Sequence, residues 1–211
     1  VDITANNVIK WLENRDTSKP FCMVFQTKAP HRPWEPNTKY KDLYNDVDFP
    51  VPSNFYDDFK GREQTAAKAT MQMDNLNRRD LKLEGMPEGL SDEEKSLWYN
   101  YGENPGDKLE IVPGISAKEN KKLKFERFIK DYLRCIASVD ENVGRVLDYL
   151  DKAGLAENTI VIYCADQSFY LGEHGWFDKR FMYEQSMRMP LLIRYPKKIK
   201  KGSVNKDMVL N

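Results

Sequence analysis

Residues 159–180 read TIVIYCADQSFYLGEHGWFDKR. An apolar, β-branched run from Thr159 to Cys164 is followed at once by two oxygen donors, one of the chain's two histidines and two cations. The apolar run reads as a buried strand, and ligand sites in open α/β sheets lie just beyond the carboxyl ends of strands. Asp166 and Gln167 fall at that end. A carboxylate beside an amide oxygen suits a hard divalent cation such as calcium, and Lys179 can hold an anion bound to that metal. Asp166 has a plainer reading as the cap of the turn that follows the strand.

Outward from this stretch, helices and apolar strands alternate. On the carboxyl side come a short helix around Tyr183 to Met187 and a strand in MPLLIR, 189–194. On the amino side, Ser116 with Glu119 makes a capping box. The apolar positions Phe125, Phe128, Ile129, Tyr132, Leu133, Ile136, Val139, Val143, Val146, Leu147 and Leu150 then recur at helical spacing up to Gly154. A first helix is read over 1–14, with a strand from Phe21 to Phe25 after Pro20. That strand exits into a loop, Thr27 to Pro36, stiffened by three prolines and carrying His31. The alternation argues for a layered α/β fold.

The long polar stretch from Asn37 to Gly114, with weak helical patches at 61–76 and 91–101, is read as an insertion over the sheet edge that shapes substrate choice. Lysine plus arginine equals aspartate plus glutamate at 33 each among 211 residues, so no global basic field speaks for nucleic acid. The run KKIKK, 197–201, reads as a solvated loop. No apolar run reaches the roughly 20 residues that span a bilayer. Cys22, Cys135 and Cys164, an odd number set in apolar patterns, read as buried thiols rather than a disulfide scaffold or zinc site.

Two segments resemble those of the type I sulfatases, the formylglycine-dependent family with the alkaline-phosphatase-like fold. The segment from Asp166, continued through FMYEQSMRMPLLIRYP, is similar to that family's D-[NHQ]-G-x-x-x-G-x-H-G element, its following lysine, and its Y-E-x-S-x-R-x-P-L-x-x-R-x-P element. KAPHRPW, from Lys28 to Trp34, resembles its P-H-x-P loop. Ser168 departs from the pattern by placing a β-carbon where the family usually has glycine. The resemblance implies an alkaline-phosphatase-like layered sheet with helices on both faces.

It also implies roles. Asp166 and Gln167 become metal ligands, calcium being the expected ion, and Lys179 contacts sulfate oxygens. His31 hydrogen-bonds sulfate or passes a proton to the departing alcohol. His174 lines the substrate pocket or braces the loop. Arg32 and Trp34 contact a sugar ring. Arg180, Glu184 and Arg188 hold the following segment through ion pairs.

No C/S-x-P/A-x-R element for formylglycine occurs around the cysteines: Cys22 leads into MVFQ, Cys135 into IASV and Cys164 into ADQS, while Ser18 lacks the arginine. The family's paired acidic ligands near its amino terminus have no match either. The expectation is therefore an incomplete piece, residues 1–211 being the C-terminal part of a sulfatase catalytic domain and inactive alone, with formylglycine supplied upstream. The complete protein is expected to be exported (periplasmic, extracellular or lysosomal) and to remove sulfate from a sulfated sugar or glycan. A 6-O-sulfated amino sugar leads, ahead of sulfated uronic acids and mucin glycans. Two alternatives are a phosphodiesterase or phosphonate monoester hydrolase of the same fold, and a non-catalytic binding module.

Overall fold

The computed structural model describes residues 1–77, 79–82, 89, 91 and 111–209. Among these residues, two of the three hydrophobic clusters are built on one long helix. Helix α1 spans Asp2–Asn14, α2 Gln64–Ala67, α3 Ala117–Lys152 and α4 Glu184–Met187. The helical patch expected at 91–101 lies outside the described residues apart from Ser91, and the patch at 61–76 holds only α2 and a 3-10 turn, Met73–Asn75.

Helix α3 has 36 residues and runs about 54 Å at 1.5 Å per residue. Its first turn is closed by the anticipated capping box. The Ser116 hydroxyl accepts from the Glu119 N–H at 3.2 Å and the Glu119 carboxylate accepts from the Ser116 N–H at 3.0 Å. It stops at Gly154, whose φ of +69° suits glycine, and the Leu155 N–H then returns to the Leu150 carbonyl at 2.9 Å. The amino half of α3 presents Phe125, Phe128, Ile129 and Cys135 to a core shared with Trp34, Phe55, Met73, Leu76, Leu81 and Phe177. Its carboxyl half presents Leu150 to Val8 and Leu12 of α1 and to Ala156. The described part of 37–114 thus contributes Phe55, Met73, Leu76 and Leu81 to the main core.

Among the described residues, four short strands complete the fold. Strand β1 (Val161–Cys164) pairs antiparallel with β4 (Leu191–Arg194), and β2 (Tyr170–Leu171) pairs antiparallel with β3 (Phe177–Asp178). The buried-strand reading of Thr159 to Cys164 is corrected here. Ile160 and Ile162 are each 59% exposed and Leu192 65%, because among the described residues nothing lies across the outer surfaces of the β1–β4 ribbon. Among the described residues helices cover it on one side, where Val161 packs with α1 and α3.

Phe21 to Phe25 is extended but has no ladder partner among the described residues. Phe21, Met23 and Phe25 lean on the α1–α3 core while Cys22 and Val24 face outward, the period-2 alternation of a strand. For the same reason two of the three thiols expected to be buried are exposed. Cys22 and Cys164 lie on the uncovered faces of extended segments, and only Cys135 on α3 is buried.

Candidate active site

Two loops carry the candidate residues, and Phe177 joins them. The Trp34 ring packs edge-on against Phe128 at 4.6 Å and against Phe177 at 6.1 Å between centroids. The Arg32 guanidinium lies 5.5 Å from the Phe177 centroid. Phe177 sits two positions before Lys179, so the Pro-rich loop and the Lys179 segment pack on each other through it.

Trp34 is fully buried, which corrects the expectation that it stacks on a sugar; its ring is a core element between α3 and β3. Arg32 also pairs with Asp80, whose carboxylate oxygen is 3.5 Å away. Burial pushes the Asp80 carboxyl up, and the neighbouring Arg32 charge pulls against it. His31 remains exposed at the loop tip, where its backbone N–H donates to the Lys28 carbonyl at 2.8 Å. Its ring Nδ1 is 2.7 Å from the Arg32 carbonyl. With Nδ1–H donating there, Nε2 is the nitrogen left to accept or deliver a proton.

Asp166 and Gln167 follow β1 directly, and the Gln167 amide nitrogen donates to Asp166 Oδ2 at 3.4 Å. Ser168, the departure from the resembled pattern, is not among the residues with positive φ, so its β-carbon meets no left-handed backbone. Its N–H donates to the Ser186 carbonyl at 3.2 Å and ties the loop to α4. Asp166 and Gln167 offer two oxygen donors, whereas calcium takes about six to eight. Among the described residues no three His, Cys, Asp or Glu side chains cluster in a way that could hold a metal. The pair fits a hard cation as part of a larger donor set.

The turn between β2 and β3 is wound tightly. Gly172, His174, Gly175 and Asp178 all have positive φ, and two of these positions are also sterically closed. A β-carbon on Gly175 would come 2.7 Å from the Phe55 carbonyl and would collide with Lys121 Nζ; one on Gly172 would come 2.7 Å from the Phe125 ring. Trp176 is fully buried, with Phe59 stacked on it at 5.4 Å and Phe181 at 5.0 Å. The Phe177 N–H donates to the Met71 carbonyl at 2.9 Å, so the 71–72 segment edges β3.

His174 lies inside this packing, which corrects its assignment to substrate and selects the bracing role. Its Nδ1 donates to Asp57 Oδ2 at 2.6 Å, and the Asn54 amide donates to Nε2 at 3.3 Å. Arg62 reaches the same Asp57 oxygen at 2.5 Å. Burial raises the Asp57 carboxyl, but hydrogen bonds from His174, the Phe59 N–H and Arg62 outweigh it and hold the group at about 2. Nothing in the sequence flagged Asp57 or Asp80, which bind partners 117 and 48 residues away.

Asp178 gives one oxygen to the Lys179 backbone N–H at 2.9 Å and the other to Arg180 at 3.3 Å. Arg180 thus forms an ion pair, but with a neighbour two residues back rather than with the segment that follows it. Lys179 itself is partly exposed beyond the end of β3.

These features define an α/β protein in which two loops packed on Phe177 carry His31 and Lys179, and an acid–amide pair, Asp166 and Gln167, follows the end of a strand. A family model described as Sulfatase matches residues 1–209, and the chain belongs to that family. It is 43% identical over its whole length to an N-acetylglucosamine-6-O-sulfatase of Bacteroides thetaiotaomicron, spanning 40% of that relative. Over 96% of its length it is 30% identical to an arylsulfatase of Clostridium perfringens, spanning 33% of it. A protein solved in complex with its substrate D-glucosamine-2-N,6-O-disulfate superposes with a TM-score of 0.78 at 39% identity, over 96% of this chain and 44% of that one. The likeness fixes the alkaline-phosphatase-like α/β fold, of which this chain holds less than half the length of those relatives. Among the described residues no helix is long and apolar enough to cross a membrane.

Proposed function

We propose that the complete protein is a sulfuric ester hydrolase that removes 6-O-sulfate from an amino sugar of a glycan. The observation that carries this reading is the 43% identity, over the whole of this chain and 40% of the relative, to an N-acetylglucosamine-6-O-sulfatase. The packing of the His31 loop and the Lys179 segment on Phe177 is consistent with it. The cofactors in this reading are a calcium ion and a formylglycine supplied by the rest of the protein; together they provide electrophilic polarisation of the sulfate and the attacking oxygen.

This chain's own residues bind and orient. Lys179 places a positive charge against sulfate oxygens that gain negative charge as the ester bond breaks. His31, with Nδ1 engaged by the Arg32 carbonyl, offers Nε2 as the proton carrier for the leaving alcohol. Asp166 and Gln167 contribute oxygens to the cation. Asp80 and Phe177 fix Arg32, and through it the loop that carries His31. Export from the cytoplasm belongs to the same reading.

The test is sulfate release from 6-O-sulfated N-acetylglucosamine by the complete protein. Lys179→Ala is expected to lower kcat/KM by about 10²-fold or more, the scale of losing one charge-stabilising donor. Release that is untouched by this change rejects the assignment.

A further inference from the structure

We propose that the cleft beside the Lys179 segment is an accessory subsite for an anionic sugar, a pyranose bearing a carboxylate or sulfate. That sugar is the neighbour, along the glycan, of the one carrying the cleaved ester. The proposal rests on the glycan sulfatase reading above and extends it to the next sugar.

The cleft has a volume of about 500 Å³, within the range of small-ligand sites. Gln64, Thr65, Lys68 and Thr70 line it from α2 and the segment after it, and Arg180 and Phe181 line it from the segment after β3. None of its lining residues is acidic. Among the described residues Lys68 has only the neutral Gln64 amide oxygen as its hydrogen-bond acceptor, at 3.0 Å, and that contact does not cancel its charge. Arg180 shares Asp178 at 3.3 Å, yet its side chain is 63% exposed and keeps further N–H donors for the cleft. Two cations and two threonine hydroxyls within one concavity suit an oxyanion on a hydroxylated ring.

The apolar part of the lining suits the ring itself. Phe181 stacks on the buried Trp176 with an interplanar angle of 18°, and its carbonyl accepts from the Tyr170 hydroxyl at 3.0 Å. A flat aromatic wall held this way can take the C–H face of a sugar with little reordering. Lys179 is not among the lining residues although Arg180 is, so the cleft lies beside the sulfate-contacting lysine rather than around it. A substituent on the adjoining sugar, not the cleaved sulfate, is what it fits.

The test uses the complete protein and three disaccharides without ester sulfate on their N-acetylglucosamine unit. The adjoining sugar is a uronate, a sulfated hexose or a neutral hexose. Dissociation constants are measured by ligand-observed NMR. At least one charged disaccharide is expected to bind about tenfold more tightly than the neutral one, and the tighter of the two identifies the anion. In the double variant Lys68→Met, Arg180→Met the ratio is expected to fall to about 1. Both side chains are solvent-exposed, and an unchanged circular dichroism spectrum verifies the fold. Equal binding of all three by the wild type, or a ratio that survives the double substitution, overturns the proposal. Sulfate release is scored separately on the 6-O-sulfated sugars. Release without charge preference sinks the subsite alone, and charge-dependent binding without release sinks the hydrolase reading alone.

Discussion

Gly175 concentrates two constraints in one residue, a left-handed backbone and a 2.7 Å approach to the Phe55 carbonyl. Replacing it with alanine incurs both the φ penalty and a backbone displacement, so Gly175→Ala is expected to cost about 2–4 kcal/mol in urea unfolding of the complete protein. Asp57 makes a different prediction. Its carboxyl is held at about 2 in the folded state against an ordinary 3.8, so the folded state binds this proton less readily than the unfolded one. The stabilisation is present above pH 3.8 and is lost as pH falls through about 2. Asp57→Asn removes that acid-sensitive component, and its unfolding midpoint is expected to vary less than wild type across this window. The motifs made Asp166, Gln167, Lys179 and His31 legible as candidates because their chemistry is local. The sequence misplaces Trp34 and leaves the role of His174 open because what surrounds them, Phe128 and Asp57, comes from distant parts of the chain. Pairings over such separations leave no periodic trace.

Helix α3 is the element most openly written in the sequence, since eleven apolar positions repeat at one period between a capping box and a glycine stop. The box is a separable contribution: Ser116→Ala is expected to lower stability by about 1 kcal/mol in thermal unfolding, with glycan binding intact. Strand β1 was found by the same kind of reading, yet its burial was not, because an apolar run reports what a strand can face and not what covers it. The 37–82 stretch was the least legible element. It has little regular structure to generate a period, and its core residues Phe55, Met73, Leu76 and Leu81 are scattered singly among polar neighbours.

At the scale of the whole molecule, the β1–β4 ribbon matters most, with large aliphatic side chains exposed on its surfaces and outer edges unpaired among the described residues. Such a ribbon is a template for association, so the isolated 211-residue chain is expected to self-associate in sedimentation experiments and to bind a hydrophobic dye. Leu192→Lys is expected to reduce both signals, and a monodisperse wild-type chain without dye binding would contradict the expectation. The opposite behaviour characterises the loop from Gly172 to Asp178, which carries four left-handed residues and wedges its two glycines against Phe125 and Phe55. A segment confined to a single shape before any ligand arrives loses little conformational entropy on capture. Under the proposed function, an anion is therefore expected to meet the adjoining Lys179 as a rigid-body encounter, with no slow rearrangement after first contact.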